Sequence, residues 1–191
     1  VCHGIASPKV YQKYIGSLEK RGSVSEFRFR NKVSGWHTSS VSYFQNGKQY
    51  LQSMGQNLYT KLYFRGLISR ESCHSCQYAS ISRCSDLTLG DYWGVEKHYP
   101  EFDDNRGISL MILHSQKGQK LFDSIKENME FMIVSQEQCM QPQLSYPAPR
   151  NPQRDNLFMD LDKFEFESLF KKYYLISHRH FWETLRKRLL N

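Results

Sequence analysis

No stretch of this 191-residue chain approaches 18 consecutive apolar residues, so the sequence contains no membrane-spanning helix of ordinary length. No charged-then-apolar segment opens it, and no secretory leader is legible. Internal repeats and low-complexity tracts are absent. The chain has no Gly-x-Gly-x-x-Gly fingerprint, which removes the sequence argument for a nicotinamide dinucleotide site. Cysteine is scarce and odd in number, five in all, and its clustering speaks against a disulfide framework. Such spacing more often means metal or catalysis in a reducing compartment, so the expected location is cytoplasmic. The length suits one domain of ordinary size, and 39% hydrophobic with 14% aromatic residues is enough for a core. The first residue is Val1 rather than Met, directly at a motif. That suggests a fragment whose partner region lies upstream.

What the chain does have is concentrated between Cys73 and Gly94. Two cysteines spaced Cys-x-x-Cys (Cys73, Cys76), a third (Cys84) and two aspartates (Asp86, Asp91) precede the turn Gly90-Asp91-Tyr92-Trp93-Gly94. Two thiolates separated by two residues can reach one metal, because the intervening turn brings both sulfurs to the same side. A thiolate-bound metal or iron–sulfur cluster is the leading expectation. Cys2, Cys73, Cys76 and Cys84 would together make four thiolates, with His3 and His74 as alternative zinc ligands. The bland alternative is a set of small buried residues, since free cysteine behaves as a small hydrophobe. A redox-active pair fits less well, as no βαβ pattern precedes the motif.

The remaining sequence reads as a mixed α/β, or α+β, domain. The expected architecture is a small mixed sheet with a β-hairpin, flanking helices and a cysteine-rich metal loop. Ser7-Pro8 reads as a helix start, with Val10, Tyr14, Ile15 and Leu18 on one stripe. Residues 25–30 alternate like a half-buried strand, and Asn46-Gly47 between two short strand patterns is a strong hairpin signal. Leu58, Leu62 and Tyr63 predict a helix leading into the cysteine motif. Residues 86–89 alternate like a short strand, and the run from Ile108 to Leu113 has buried-strand length. Leu121, Phe122, Ile125 and Met129 predict a helix that Ser115 can cap. Four prolines between Gln141 and Gln153 suggest an extended connector. The expected divisions are 1–140 for the core, 141–155 for the connector and 156–191 for helices packing back on it. Arg30 and Lys32 suit either a phosphate or carboxylate-rich cofactor or, the commoner outcome, the exposed face of a strand. Trp93 suits either stacking on a flavin-like ring or core packing.

Three segments carry a resemblance. Arg70-x-x-Cys73-x-x-Cys76 followed by Arg83-x-x-Asp86-Leu87-Thr88-x-Gly90-Asp91-Tyr92-Trp93-Gly94 resembles the central motif of the coenzyme F-420 hydrogenase/dehydrogenase beta-subunit family. The opening Cys2-His3-Gly4-Ile5-Ala6-Ser7-Pro8 and the later Phe29-Arg30-x-Lys32-x-x-Gly35-Trp36 resemble two further segments of it, in the same order. The resemblance spans about residues 1 to 130. It implies an oxidoreductase subunit passing electrons or hydride between a 4Fe-4S iron–sulfur cluster, a flavin such as FAD and the deazaflavin coenzyme F-420. Cys73 and Cys76 would ligate the cluster, with Cys2 next, while Asp86, Gly90, Asp91 and Trp93 would line the cofactor. The implied partners are an upstream ferredoxin-like or catalytic region, other oxidoreductase subunits and electron carriers. Relatives occur in bacterial surface polysaccharide synthesis, so a link to that pathway is a second expectation. Two departures stand out. Cys84 occupies a position that is not usually cysteine in the family, and no Cys-x-x-Cys-x-x-Cys run is present.

A reading of a different class is a non-enzymatic interaction module in which the cysteines hold a structural zinc. The net charge is +7, and +5 of it falls between Lys171 and Asn191, which carry six Lys or Arg against Glu183 alone. A basic tail of this kind, amphipathic from Phe181 to Leu190, fits contact with a membrane surface or an acidic partner. Nucleic acid is not expected, because so little of the charge excess lies on the folded part.

Overall fold

The computed structural model describes residues 2–175, so the expected helix from Phe181 to Leu190 lies outside the described residues. The chain is mixed α+β and divides into two compact units. One comprises Val1–His3, Gly35–His37 and Ser75–Ala148; the other comprises Gly4–Ser34, Thr38–His74 and Pro149–Asn191. We call these the first and second units.

The second unit begins with α1, Pro8–Glu19. Pro8 occupies the first helical position, where its missing N–H is no loss. Ser7 stands at the N-cap without a side-chain cap bond; its backbone N–H is satisfied instead by the Ile68 carbonyl at 2.7 Å. Val10, Tyr14 and Leu18, four residues apart, bury one face. Strands β1 (Val24–Asn31), β2 (Ser40–Gln45) and β3 (Lys48–Ser53) form an antiparallel sheet in the order β1-β2-β3. The β2–β3 hairpin turns through Asn46 at φ 51° and Gly47 at φ 76°. Both residues are left-handed, as a two-residue hairpin matched to strand twist requires. Irregular register on both sides of Arg28 marks β1 as the uneven partner. Helix α2, Leu58–Phe64, is capped by the Asn57 side chain, which accepts from the Tyr59 and Thr60 amides.

The chain then enters the first unit. Strand β4 (Leu87–Asp91) runs on through Gly90 into Asp91, is followed by the single turn α3 (Val95–His98), and pairs antiparallel with β5 (Ser109–Leu113). Among the described residues the strands therefore form two separate antiparallel sheets rather than a single mixed sheet. Helix α4, Gln116–Ile125, is capped by Ser115, whose hydroxyl accepts the Gly118 amide at 3.1 Å. It stops short of Met129, because a 3-10 turn at Lys126–Asn128 intervenes. Two single turns follow, α5 (Gln136–Cys139) and α6 (Pro142–Ser145). The second of these replaces the start of the expected extended connector: Pro142 begins the turn, and Leu144 at 1% exposure anchors it in the core. The core of this unit is Trp36, Tyr92, Val95, Leu110, Cys139 and Leu144.

Back in the second unit, α7 (Arg154–Asp160), its C-cap Leu161 and a helical stretch at 166–175 supply Leu157, Leu161, Phe166, Leu169 and Tyr173 to a core shared with Val10, Tyr14, Tyr43, Tyr59 and Leu62. Each such side chain contributes about 2 kcal/mol on burial. The segment is therefore part of this unit's core rather than an appendage.

Candidate functional site

The glycine–aromatic turn is built at the end of β4 in the first unit. Gly90 lies opposite Leu110, and Asp91 opposite Ser109. The backbone then reverses through Gly94, whose φ of 94° suits glycine and strains other residues. Gln141 donates its side-chain N–H to the Asp91 carbonyl at 2.8 Å, and Tyr92 is buried. These contacts present the Trp93 ring, which stays 46% exposed. Its indole stacks on that of Trp36 with centroids 4.3 Å apart and planes 13° from parallel. Trp36 is fully buried and its Nε1 has no hydrogen-bond partner. Two of the motifs singled out in the sequence, 29–36 and 83–94, thus meet ring to ring.

Trp36 is held by a loop that spacing does not reveal. Its backbone N–H donates to the Asn105 carbonyl at 2.8 Å, and the His37 N–H donates to Asn105 Oδ1 at 3.0 Å. Asn105 adopts φ 60°, and Gly107 approaches so closely that a Cβ there would lie 3.0 Å from the indole. His37 Nε2 donates to Asp103 Oδ2 at 2.6 Å. The Asp103 carboxylate, only 11% exposed, also accepts the Asn105 amide, and that bond followed by the one from His37 holds its pKa below the usual carboxylate value. A carboxylate accepts only, so this pairing favours the tautomer that carries its proton on Nε2. The sequence carries no signal for His37 with Asp103, which are 66 residues apart.

Asp86 lies in the same unit but serves the start of α4. It accepts the Ser115 hydroxyl at 2.6 Å and lies 3.4 Å from Lys117 Nζ. Those contacts, the hydroxyl first, lower its pKa. Arg30 and Lys32 belong to the second unit, on and just after β1.

The cysteines divide between the units. Cys2, Cys76 and Cys84 fall in the first, and Cys73 in the second on a 3-10 turn, Glu71–Ser75. Residues 5–7 pair with 68–70 through a bridge between Ala6 and Ser69, with the Arg70 N–H donating to the Ile5 carbonyl at 2.8 Å. That pairing brings the Ile5 N–H to Cys73 Sγ at 3.2 Å, the kind of sulfur hydrogen bond that tunes thiolate centres. The turn is held from behind. Arg150 grips Glu71 with two bonds of 3.1 and 3.2 Å and also reaches Asp155. Arg154, buried, donates to the Ser69 carbonyl at 2.8 Å and pairs with Glu71 at 2.8 Å. The Arg150 guanidinium is the main cause of a lowered Glu71 pKa. Among the described residues no three His, Cys, Asp or Glu side chains gather as metal ligands. Structural zinc and iron–sulfur centres use four, so the described donors do not make a complete set.

A family model describing the C terminus of the beta subunit of coenzyme F420 hydrogenase/dehydrogenase matches residues 1–138. No curated protein matches the chain, and no solved structure does.

Proposed function

The chain belongs to the family formed by the C-terminal region of coenzyme F420 hydrogenase/dehydrogenase beta subunits, and from that premise we propose that it is an oxidoreductase domain that works on a flavin-type ring held against Trp93. The family is one of oxidoreductase-associated subunits, which supports the general class of chemistry. The observation that carries the specific reading is the stacked pair: a half-exposed indole backed by a buried one is a rigid platform for a planar heterocycle. A flavin or deazaflavin, when bound, supplies the two-electron chemistry of hydride exchange. The chain's own contribution is to bind and orient the ring. Trp93 stacks, Trp36 backs it, and Gly90 leaves the backbone open to close approach. Asp91 supplies an acceptor for cofactor hydroxyls; Arg30 and Lys32, which belong to the second unit, are proposed separately as cations for an anionic group.

Cys73 and Cys76 are proposed as thiolate donors on their spacing and on the sulfur hydrogen bond at Cys73, with Cys2 and Cys84 behind them. Since the described donor set is incomplete, no proposed step passes through a cluster.

The test is a titration of the full chain with FAD and with coenzyme F-420, followed by tryptophan fluorescence. Binding should quench the emission, and Trp93→Ala should weaken binding by about five- to 150-fold, since one aromatic–ring stack is worth about 1–3 kcal/mol. Equal affinity in wild type and Trp93→Ala would remove the platform.

A further inference from the structure

The net charge of +7 conceals a division between the two units. The second unit carries 20 Lys and Arg against 9 Asp and Glu, net +11; the first carries 6 against 10, net −4. Without residues 176–191 the second unit is still +8. Charge asymmetry on this scale is a statement about partners rather than about fold.

Part of that excess lies on an edge strand. Arg28, Arg30 and Lys32 fall within five residues on and just beyond β1, with Glu26 the one acid nearby. Among the described residues β1 pairs with β2 alone in its sheet. The Arg28 side chain is 67% exposed and lies 3.9 Å from the Glu26 carboxylate, and two apolar residues of the same segment are exposed as well, Phe29 at 42% and Val33 at 71%. Phe29 is not loose. Its ring packs against Phe27 at 4.8 Å, Tyr11 at 5.3 Å and Tyr59 at 5.5 Å, so its outer face can be covered with little further loss of freedom. A rigid, partly exposed aromatic in a segment rich in arginine and lysine has the composition of protein–protein interfaces.

We propose that residues 28–33 form a docking strip for an acidic protein electron carrier. The inference rests on the oxidoreductase reading, which needs a partner to deliver or remove electrons. Charge complementarity specifies the partner's sign, and the exposed Phe29 and Val33 favour a folded protein with apolar surface over a bare polyanion. Association should therefore be electrostatically steered.

The experiment measures binding of the full chain to an acidic 2Fe-2S ferredoxin at about 20 and about 200 mM NaCl, where the screening length shortens from roughly 20 to below 10 Å. The expected Kd weakens at least tenfold with salt. Arg28→Glu combined with Lys32→Glu, both at exposed positions, should weaken binding at low salt by more than tenfold with an unchanged circular dichroism spectrum. Val33→Ser should weaken it without changing the salt slope. Salt-independent or absent ferredoxin binding overturns the proposal, as does equal binding by the charge-reversed variant. Tighter binding to a DNA duplex or to phosphatidylserine vesicles also overturns it. Ferredoxin binding without any electron transfer would sink the oxidoreductase reading and leave the docking strip standing. Electron transfer that is indifferent to the charge reversal would do the opposite.

Discussion

The family match ends at residue 138, yet the second unit is completed by residues beyond it. Phe166→Ala tests whether that packing is as integral as the geometry says. Phe166 is 1% exposed and its ring lies 4.9 Å from that of Tyr14. Tyr14 is held in turn by α1 and by a 2.7 Å hydrogen bond from Asn57. With neighbours fixed in this way the site cannot collapse freely, so the lost transfer energy and the cavity add to about 3–5 kcal/mol. That is a large share of the roughly 5–15 kcal/mol total stability of an ordinary domain. Denaturant unfolding followed by circular dichroism should show the midpoint falling with the slope unchanged. Removing residues 149–191 deletes Leu157, Leu161, Phe166, Leu169 and Tyr173 from this core and should abolish the cooperative transition of this unit. A cost below about 1 kcal/mol for Phe166→Ala, within the ordinary range of single substitutions, would show that the segment is not integral to the core. So would a deletion variant that unfolds cooperatively at the wild-type midpoint.

Further outcomes follow from other contacts. Gly118→Ala should cost about 1–3 kcal/mol by thermal unfolding, because its Cβ would lie 2.2 Å from the Asp86 carbonyl, a backbone atom that cannot rotate away. Asp103→Ala removes the acceptor that pairs with His37 Nε2; nitrogen-15 NMR of the imidazole should then show Nδ1–H gaining population, and an unchanged spectrum would contradict the assignment. At high pH the unfolded chain loses tyrosine protons from about pH 10. Tyr14, pushed up to about 12 by burial, keeps its proton in the fold, and burial shifts Tyr59 further in the same direction. Their stabilising contribution is therefore complete below about pH 10 and declines as pH rises towards about 12. Tyrosinate absorbance that appears only with unfolding would bear this out. At the acid end, Asp103, Asp155 and Glu71 have lowered pKa values, each chiefly through a hydrogen bond, so stability should fall as pH drops below about 4.

The sequence conveys local features well. Asn46-Gly47 turns the hairpin, Pro8 starts α1, Asn57 and Ser115 cap their helices, and the stripe of Val10, Tyr14 and Leu18 is buried. Each depends on residues within one turn or one strand of one another. The turn at Gly90–Gly94 is legible for the same reason. What spacing does not convey is the meeting of distant segments. Trp36 fills the core while Trp93 remains half exposed, a division of labour between two similar side chains that depends on which loop closes over which ring. The grip of Arg150 and Arg154 on the Cys73 turn joins residues about 80 apart through charge pairs with no periodic signature. The cysteine motif suggests a four-thiolate set, but its members fall in two units, and no three potential ligands gather among the described residues.

Cofactor analysis of the full chain, purified without oxygen and saturated with FAD, decides whether Trp93 is a cofactor platform. Flavin should be retained at about one per chain, with its visible absorption perturbed by indole stacking as expected for a ring–aromatic contact. The perturbation should be lost in Trp93→Ala. Protein that emerges free of flavin, with a Trp93 emission indifferent to added FAD and to coenzyme F-420, would contradict the platform.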